Sequence, residues 1–176
     1  SGGMGARLLG QPELVRDILT TLRRNLPSET HVTCKIRLLE SEQDTIKLAK
    51  IIESCGVSAF AVYGRYIPQR PREPAHWHLI KNVVEAVDCP VIANGDVQCF
   101  EDFERIRECT GAASAMCARG AQWNLSIFRS DGVLPSDEVK RHFVRRAIEY
   151  DNPWNFTKFQ LREILVHEKR MASSEG

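Results

Sequence analysis

Lys35 and Arg37 stand two residues apart, in and just beyond the run Val32-Thr33-Cys34-Lys35-Ile36. Alternate residues of a strand share a face, so the two cations point one way and Val32, Cys34 and Ile36 the other. Such a pair suits an anion, and burying it without an anionic partner is costly. A strand end whose charges reach solvent accounts for the pair equally well.

Two turns form the second feature. Asn94-Gly95-Asp96 follows the apolar Val91-Ile92-Ala93, and Ala118-Arg119-Gly120 follows the next apolar run and opens a short helix. Glycine after a strand lets backbone approach a ligand closely. Late-strand loops combined with a short helix N-terminus suit phosphate, because backbone N–H groups and the positive helix end face the anion. Two ordinary turns remain the plainer account. A loop with Arg65, Arg70 and Arg72 among prolines suits phosphate recognition, as it suits simple solvation. Lys140, Arg141, Arg145 and Arg146 form another basic cluster; Arg141 and Arg145 are one helical turn apart, and a solvated face explains them well. His76 and His78 diverge by about 200° at a helix start, so no metal site is expected.

The elements that must position these groups alternate. Short β-branched runs begin near Val32, Ala59, Pro90 and Ala113, and each is followed by an amphipathic stretch. Helices are predicted at 41–53, with Ser41 and Gly56 as caps, at 74–87, at 101–109, and through Ile127. Four βα units argue for a parallel sheet, as half of a (β/α)8 barrel or an open doubly wound sheet. Beyond a boundary near Gly132 only helices are predicted, one at 136–149 and one opening at Asn152-Pro153. The expected domains are therefore 1–132, α/β, and 133–176, the start of an all-helical domain.

Composition excludes several classes. The chain has 176 residues, a net charge of +1 and six scattered cysteines without a C-x-x-C pair. A disulfide framework is not expected, and a reducing cytoplasmic or nuclear compartment is. No apolar run approaches the roughly 18 residues of a membrane span. Ser1 is expected to be a cut rather than a native start. No P-loop, nucleophile elbow or G-x-G-x-x-G is present.

In order, Gly2-Gly3-Met4-Gly5-Ala6, Cys34-Lys35-Ile36-Arg37, Val62-Tyr63-Gly64-Arg65, Val91-Ile92-Ala93-Asn94-Gly95-Asp96 and Ala118-Arg119-Gly120-Ala121 resemble the tRNA-dihydrouridine synthases. Tyr150-Asp151-Asn152 with Thr157-Lys158 is most similar to the family's eukaryotic branch. The resemblance implies an FMN-binding (β/α)8 barrel, here its units five to eight, then a helical tRNA-binding domain. It implies uridine reduction in the tRNA D-loop, with NADPH reducing the flavin.

Lys35, Tyr63, Asn94, Gly95, Asp96, Ala118, Arg119 and Gly120 would then meet FMN, with Lys35 near the ring. Arg37, Arg65, Arg70, Arg72, Arg141 and Arg145 would meet substrate or tRNA. The family's proton-donating cysteine would lie upstream of Ser1, so the segment alone is expected to be inactive. Tyr63 stands where the family usually has His, which exchanges a titratable ring for a phenol. Alternatives are another FMN barrel oxidoreductase, or a non-catalytic RNA-binding or dimerising product. Self-association of the half-barrel is expected through its strand edges.

Overall fold

The computed structural model describes residues 4–174, so Gly2 and Gly3 of the first motif lie outside the described residues. It divides into two compact units. The first comprises residues up to Asp96 together with Phe103–Met116; the second comprises Val97–Asp102 and the chain from Cys117. The predicted boundary near Gly132 lies inside the second unit.

In the first unit a 3-10 segment (Gly5–Gly10) leads into α1 (Pro12–Asn25). There follow β1 (Thr33–Leu38), α2 (Glu42–Ser54), β2 (Ala59–Tyr66), α3 (Trp77–Glu85), β3 (Val91–Asn94), all but the first two residues of α4 (Glu101–Thr110), and β4 (Ser114–Met116). The four strands are parallel and lie in sequence order, an α/β arrangement consistent with a partial (β/α)8 barrel.

Alternation along the strands sorts the side chains. Ile36, Leu38, Phe60, Val62, Val91 and Ala93 are buried, as are Leu48, Ala49 and Ile52 of α2 and Ile80 and Val83 of α3. Ser41 caps α2 as expected, its Oγ accepting from the Asp44 N–H at 3.0 Å. Two features depart from expectation. The helix α1, with Pro12 at its first turn, precedes the first of the expected βα units. β2 runs on to Tyr66, into the stretch expected to be loop, because a register shift carries the pairing from Arg37–Tyr63 to Leu38–Tyr66. That irregularity places Gly64 and Arg65 inside the strand rather than in the loop.

The second unit contains α5 (Arg119–Trp123), a 3-10 turn (Leu125–Phe128), α6 (Ser136–Glu149) and α7 (Trp154–Ser174). Ile127, Val139, Ala147, Thr157 and Ile164 are buried in it. Asn124 organises the connection, its Oδ1 accepting from the Ser126 N–H at 3.0 Å while its Nδ2 donates to the Leu134 carbonyl at 2.9 Å. Among the described residues no helix is long and apolar enough to cross a membrane.

Candidate functional site

The strand register builds a row. Arg37 pairs with Tyr63, Tyr63 with Asn94 and Asn94 with Met116, all at the carboxyl edge of the sheet. Lys35 lies one step back on the same face as Arg37. The face opposite holds Ile36 and Leu38, which pack into the core, so the predicted segregation of cations from apolar residues is what the strand shows.

Tyr63 is the centre of this row. Its ring lies 5.6 Å from Lys35 Nζ, 4.9 Å from Arg37 Cζ and 5.3 Å from Arg65 Cζ, measured to the ring centroid. Its hydroxyl accepts from Arg65 Nη1 at 2.9 Å. Lys35 is exposed, and among the described residues no carboxylate pairs with it. Partial burial, then the neighbouring Arg37 charge, pull its ammonium below the ordinary value. Arg37 spends one Nη on the carbonyls of Tyr66 (2.8 Å) and Gln69 (2.9 Å), while its Nε is buried with no hydrogen-bond partner.

A cavity of about 410 Å³ lies beside these groups, with Lys35, Arg37 and Tyr63 against apolar residues such as Leu9, Leu19 and Ile36. That size and lining are those of a small-molecule site: a mostly apolar hollow with a few fixed polar groups.

Arg65 differs from the other arginines. It is 1% exposed, and four of its five N–H donors are used. They go to Tyr63 Oη, the Glu73 carbonyl (2.6 Å), the Pro71 carbonyl (3.2 Å) and Asp96 Oδ1. Asp96 Oδ2 in turn accepts from the Ala75 N–H at 2.7 Å. The turn after β3 is thus tied to the loop after β2. Arg70 and Arg72 sit exposed on that loop, with Glu73 bonding the Arg70 N–H and pairing with Arg72 at 3.7 Å.

The glycines have a reason that sequence alone did not supply. A Cβ on Gly95 would lie 2.7 Å from Ala75 Cβ, and Gly95 has φ 136°. A Cβ on Gly120 would lie 2.6 Å from Ile127 Cδ1 and 2.9 Å from the Val97 carbonyl. Both close approaches are to the protein itself. Asn94, 4% exposed, gives its Nδ2 to the Met116 carbonyl at 2.7 Å.

In the second unit Ala118 precedes α5 and Arg119 opens it, the Arg119 guanidinium lying 5.7 Å from the Trp123 ring centroid. On α6, Lys140 is paired with Asp137 (2.7 Å) and Glu168 (3.2 Å), and Arg146 with Glu149 (2.6 Å). Arg141 and Arg145 are exposed.

A family model described as dihydrouridine synthase (Dus) matches residues 1–168. The chain belongs to the dihydrouridine synthase family. It is 36% identical, over 93% of its length, to "tRNA-dihydrouridine(20) synthase [NAD(P)+]" of Schizosaccharomyces pombe, covering 35% of that protein. It is 41% identical over 68% of its length to "tRNA-dihydrouridine(16) synthase" of Cupriavidus necator, covering 37% of it. A Mus musculus relative, "tRNA-dihydrouridine(20a/20b) synthase [NAD(P)+]-like", is 36% identical over 72% of the chain and is covered to 39%. The chain therefore spans little more than a third of these dihydrouridine synthase relatives.

Sequence reasoning passed over Trp77. Its Nε1 donates to the Gly95 carbonyl at 3.0 Å, and Arg105 lies 5.4 Å from its ring centroid. The flanking histidines diverge too far for a shared metal, and the indole between them is the group that holds the Asn94-Gly95-Asp96 turn. An indole next to a helix start, with one donor to place, was the available signal.

Proposed function

We propose that this chain is part of an enzyme that reduces uridine to 5,6-dihydrouridine in the tRNA D-loop, with FMN as its resident cofactor and NADPH as reductant. The carrying observation is the Lys35–Arg37–Tyr63 cluster beside the 410 Å³ cavity. The family match and the relatives' names, two of which specify NAD(P)+, support the reading.

The residues present fit FMN. Apolar walls suit a planar ring, the exposed Lys35 ammonium suits its negative charge, and the buried, unpartnered Arg37 Nε is a donor awaiting an acceptor. Bound FMN supplies the hydride for the pyrimidine ring. Lys35 would hold negative charge on the reduced cofactor, Tyr63 and the Asn94-Gly95 backbone would line its seat, and Arg37 would orient the substrate. The resemblance extends the cofactor role to Asp96, Ala118, Arg119 and Gly120. It assigns Arg65, Arg70, Arg72, Arg141 and Arg145 to substrate or RNA.

On this reading β1 to β4 are strands five to eight of a (β/α)8 barrel. Residues 133–176 open a helical tRNA-binding domain, and the enzyme works in the cytoplasm or nucleus. The open edges of β1 and β4 lead the segment taken alone to self-associate, and a monomer in light scattering would count against that.

The test uses the full-length protein with FMN, NADPH and tRNA lacking dihydrouridine. Dihydrouridine should form, and Lys35→Met should weaken flavin retention. Arg141→Ala and Arg145→Ala should each lower the salt slope of tRNA binding by about 1. A full-length protein that takes up no flavin and forms no dihydrouridine would overturn the proposal. Flavin uptake with no affinity for tRNA would favour a different FMN oxidoreductase.

A further inference from the structure

Resting on that reading but departing from the contacts the resemblance assigns to two residues, we infer that Arg65 and Asp96 are positioning residues, which set the cofactor face through Tyr63 and Ala75 and do not themselves touch cofactor or substrate. Arg65 is too deeply buried, at 1% exposed, to reach a ligand at the mouth. Its planar fork meets four acceptors on three segments: Tyr63 within β2, the 71–73 loop and the turn after β3. Only a guanidinium has the donor number and geometry for that task.

The consequence runs through Tyr63. Its ring has one hydroxyl, and Arg65 Nη1 holds it at 2.9 Å. Lys35 and Arg37 stand over that ring. With the phenol pinned, the two cations have a fixed plate to rest on; with it free, both lose their reference. Asp96 serves the other end. Its left-handed backbone (φ 56°) follows Gly95 at φ 136°, and its two carboxylate oxygens bond Arg65 and the Ala75 N–H. Non-glycine residues hold that backbone only where the surroundings enforce it. An anion so engaged is also poorly suited to contact a phosphate directly. The pair thereby joins the site's floor at Tyr63 to the loop that carries Arg70 and Arg72.

Full-length protein carrying Arg65→Lys, Tyr63→Phe, both together, or Asp96→Asn tests this. The FMN dissociation constant should rise about tenfold in Arg65→Lys, as expected when a hydrogen bond to a charged group is lost. Adding Tyr63→Phe should change it by less than about twofold, because both substitutions break one link. Asp96→Asn should speed hydrogen exchange of the Ala75 amide by about tenfold in flavin-free protein.

Unchanged flavin affinity in Arg65→Lys, additive effects in the double variant, or unaltered Ala75 exchange in Asp96→Asn would each overturn the inference. If Arg65→Lys does not fold, Tyr63→Phe decides alone, since it deletes one oxygen and must by itself weaken FMN. Flavin uptake by the unsubstituted protein with indifferent variants overturns this inference only. No uptake by the unsubstituted protein overturns the functional reading beneath it.

Discussion

Arg65 Nη2 donates to Asp96 Oδ1, a buried guanidinium joined to a carboxylate whose side chain is 27% exposed. The pair links the end of one parallel strand to the turn leaving the next, 31 residues on. Removing one member strands the other's charge in a low-dielectric setting. Asp96→Ala should therefore destabilise the protein by about 3 kcal/mol or more, read from the urea midpoint. Arg65→Met combined with Asp96→Leu should be milder than Asp96→Ala, because neither charge is left alone. The reverse order would show that the pair is not electrostatically coupled.

Gly95 should tolerate no side chain. Gly95→Ala places a Cβ 2.7 Å from Ala75 Cβ on a backbone at φ 136°, so steric overlap and strain act together. We expect a loss of about 2 kcal/mol or more in thermal or denaturant unfolding. Ala75→Gly added to it should return the overlap portion while leaving the strain. Full recovery would mean that the left-handed backbone carries no penalty.

Much of this was legible in the residues. Alternation in Cys34-Lys35-Ile36-Arg37 placed the cations on one face, and the order of strands and turns gave the parallel sheet. The buried fate of Arg65 was not legible, because a register shift between Arg37 and Leu38 extends β2, and such a shift depends on pairing rather than composition. Nor was α1, although Leu14, Val15, Ile18, Leu19 and Leu22 have helical spacing after Pro12. That Gly95 and Gly120 also make room for Ala75 and Ile127 was not legible, because both neighbours are set by tertiary packing.

Lys35 should make stability depend on pH. Its ammonium is held below the ordinary 10.5, first by partial burial and then by Arg37. A cation with a depressed folded pKa opposes folding wherever both states are charged. Between the folded and unfolded values the unfolded chain binds the extra proton, so stability rises with pH there. In flavin-free protein, Lys35→Met should raise the urea midpoint at neutral pH, and the advantage should shrink as pH approaches 10.5. Because the side chain is exposed, the gain is small. An advantage that grew with pH would reverse the assignment. Saturating FMN should invert the order of the two proteins, since the charge then has a partner.

Cys34 should be the slow thiol. Burial, followed by the fields of Cys89 and Cys55, pushes it up to about 11, whereas Cys109 is exposed on α4. Alkylation proceeds through the thiolate. In iodoacetamide labelling followed by peptide mass spectrometry, Cys34 should react at least about tenfold more slowly than Cys109 at pH 8. Its rate should also climb by about tenfold per pH unit from pH 7 to 9, with no plateau, because its own titration lies above that window. A plateau below pH 9, or labelling of Cys34 before Cys109, would mean that the apolar side of β1 opens to solvent. That in turn would loosen the strand from which Lys35 and Arg37 project.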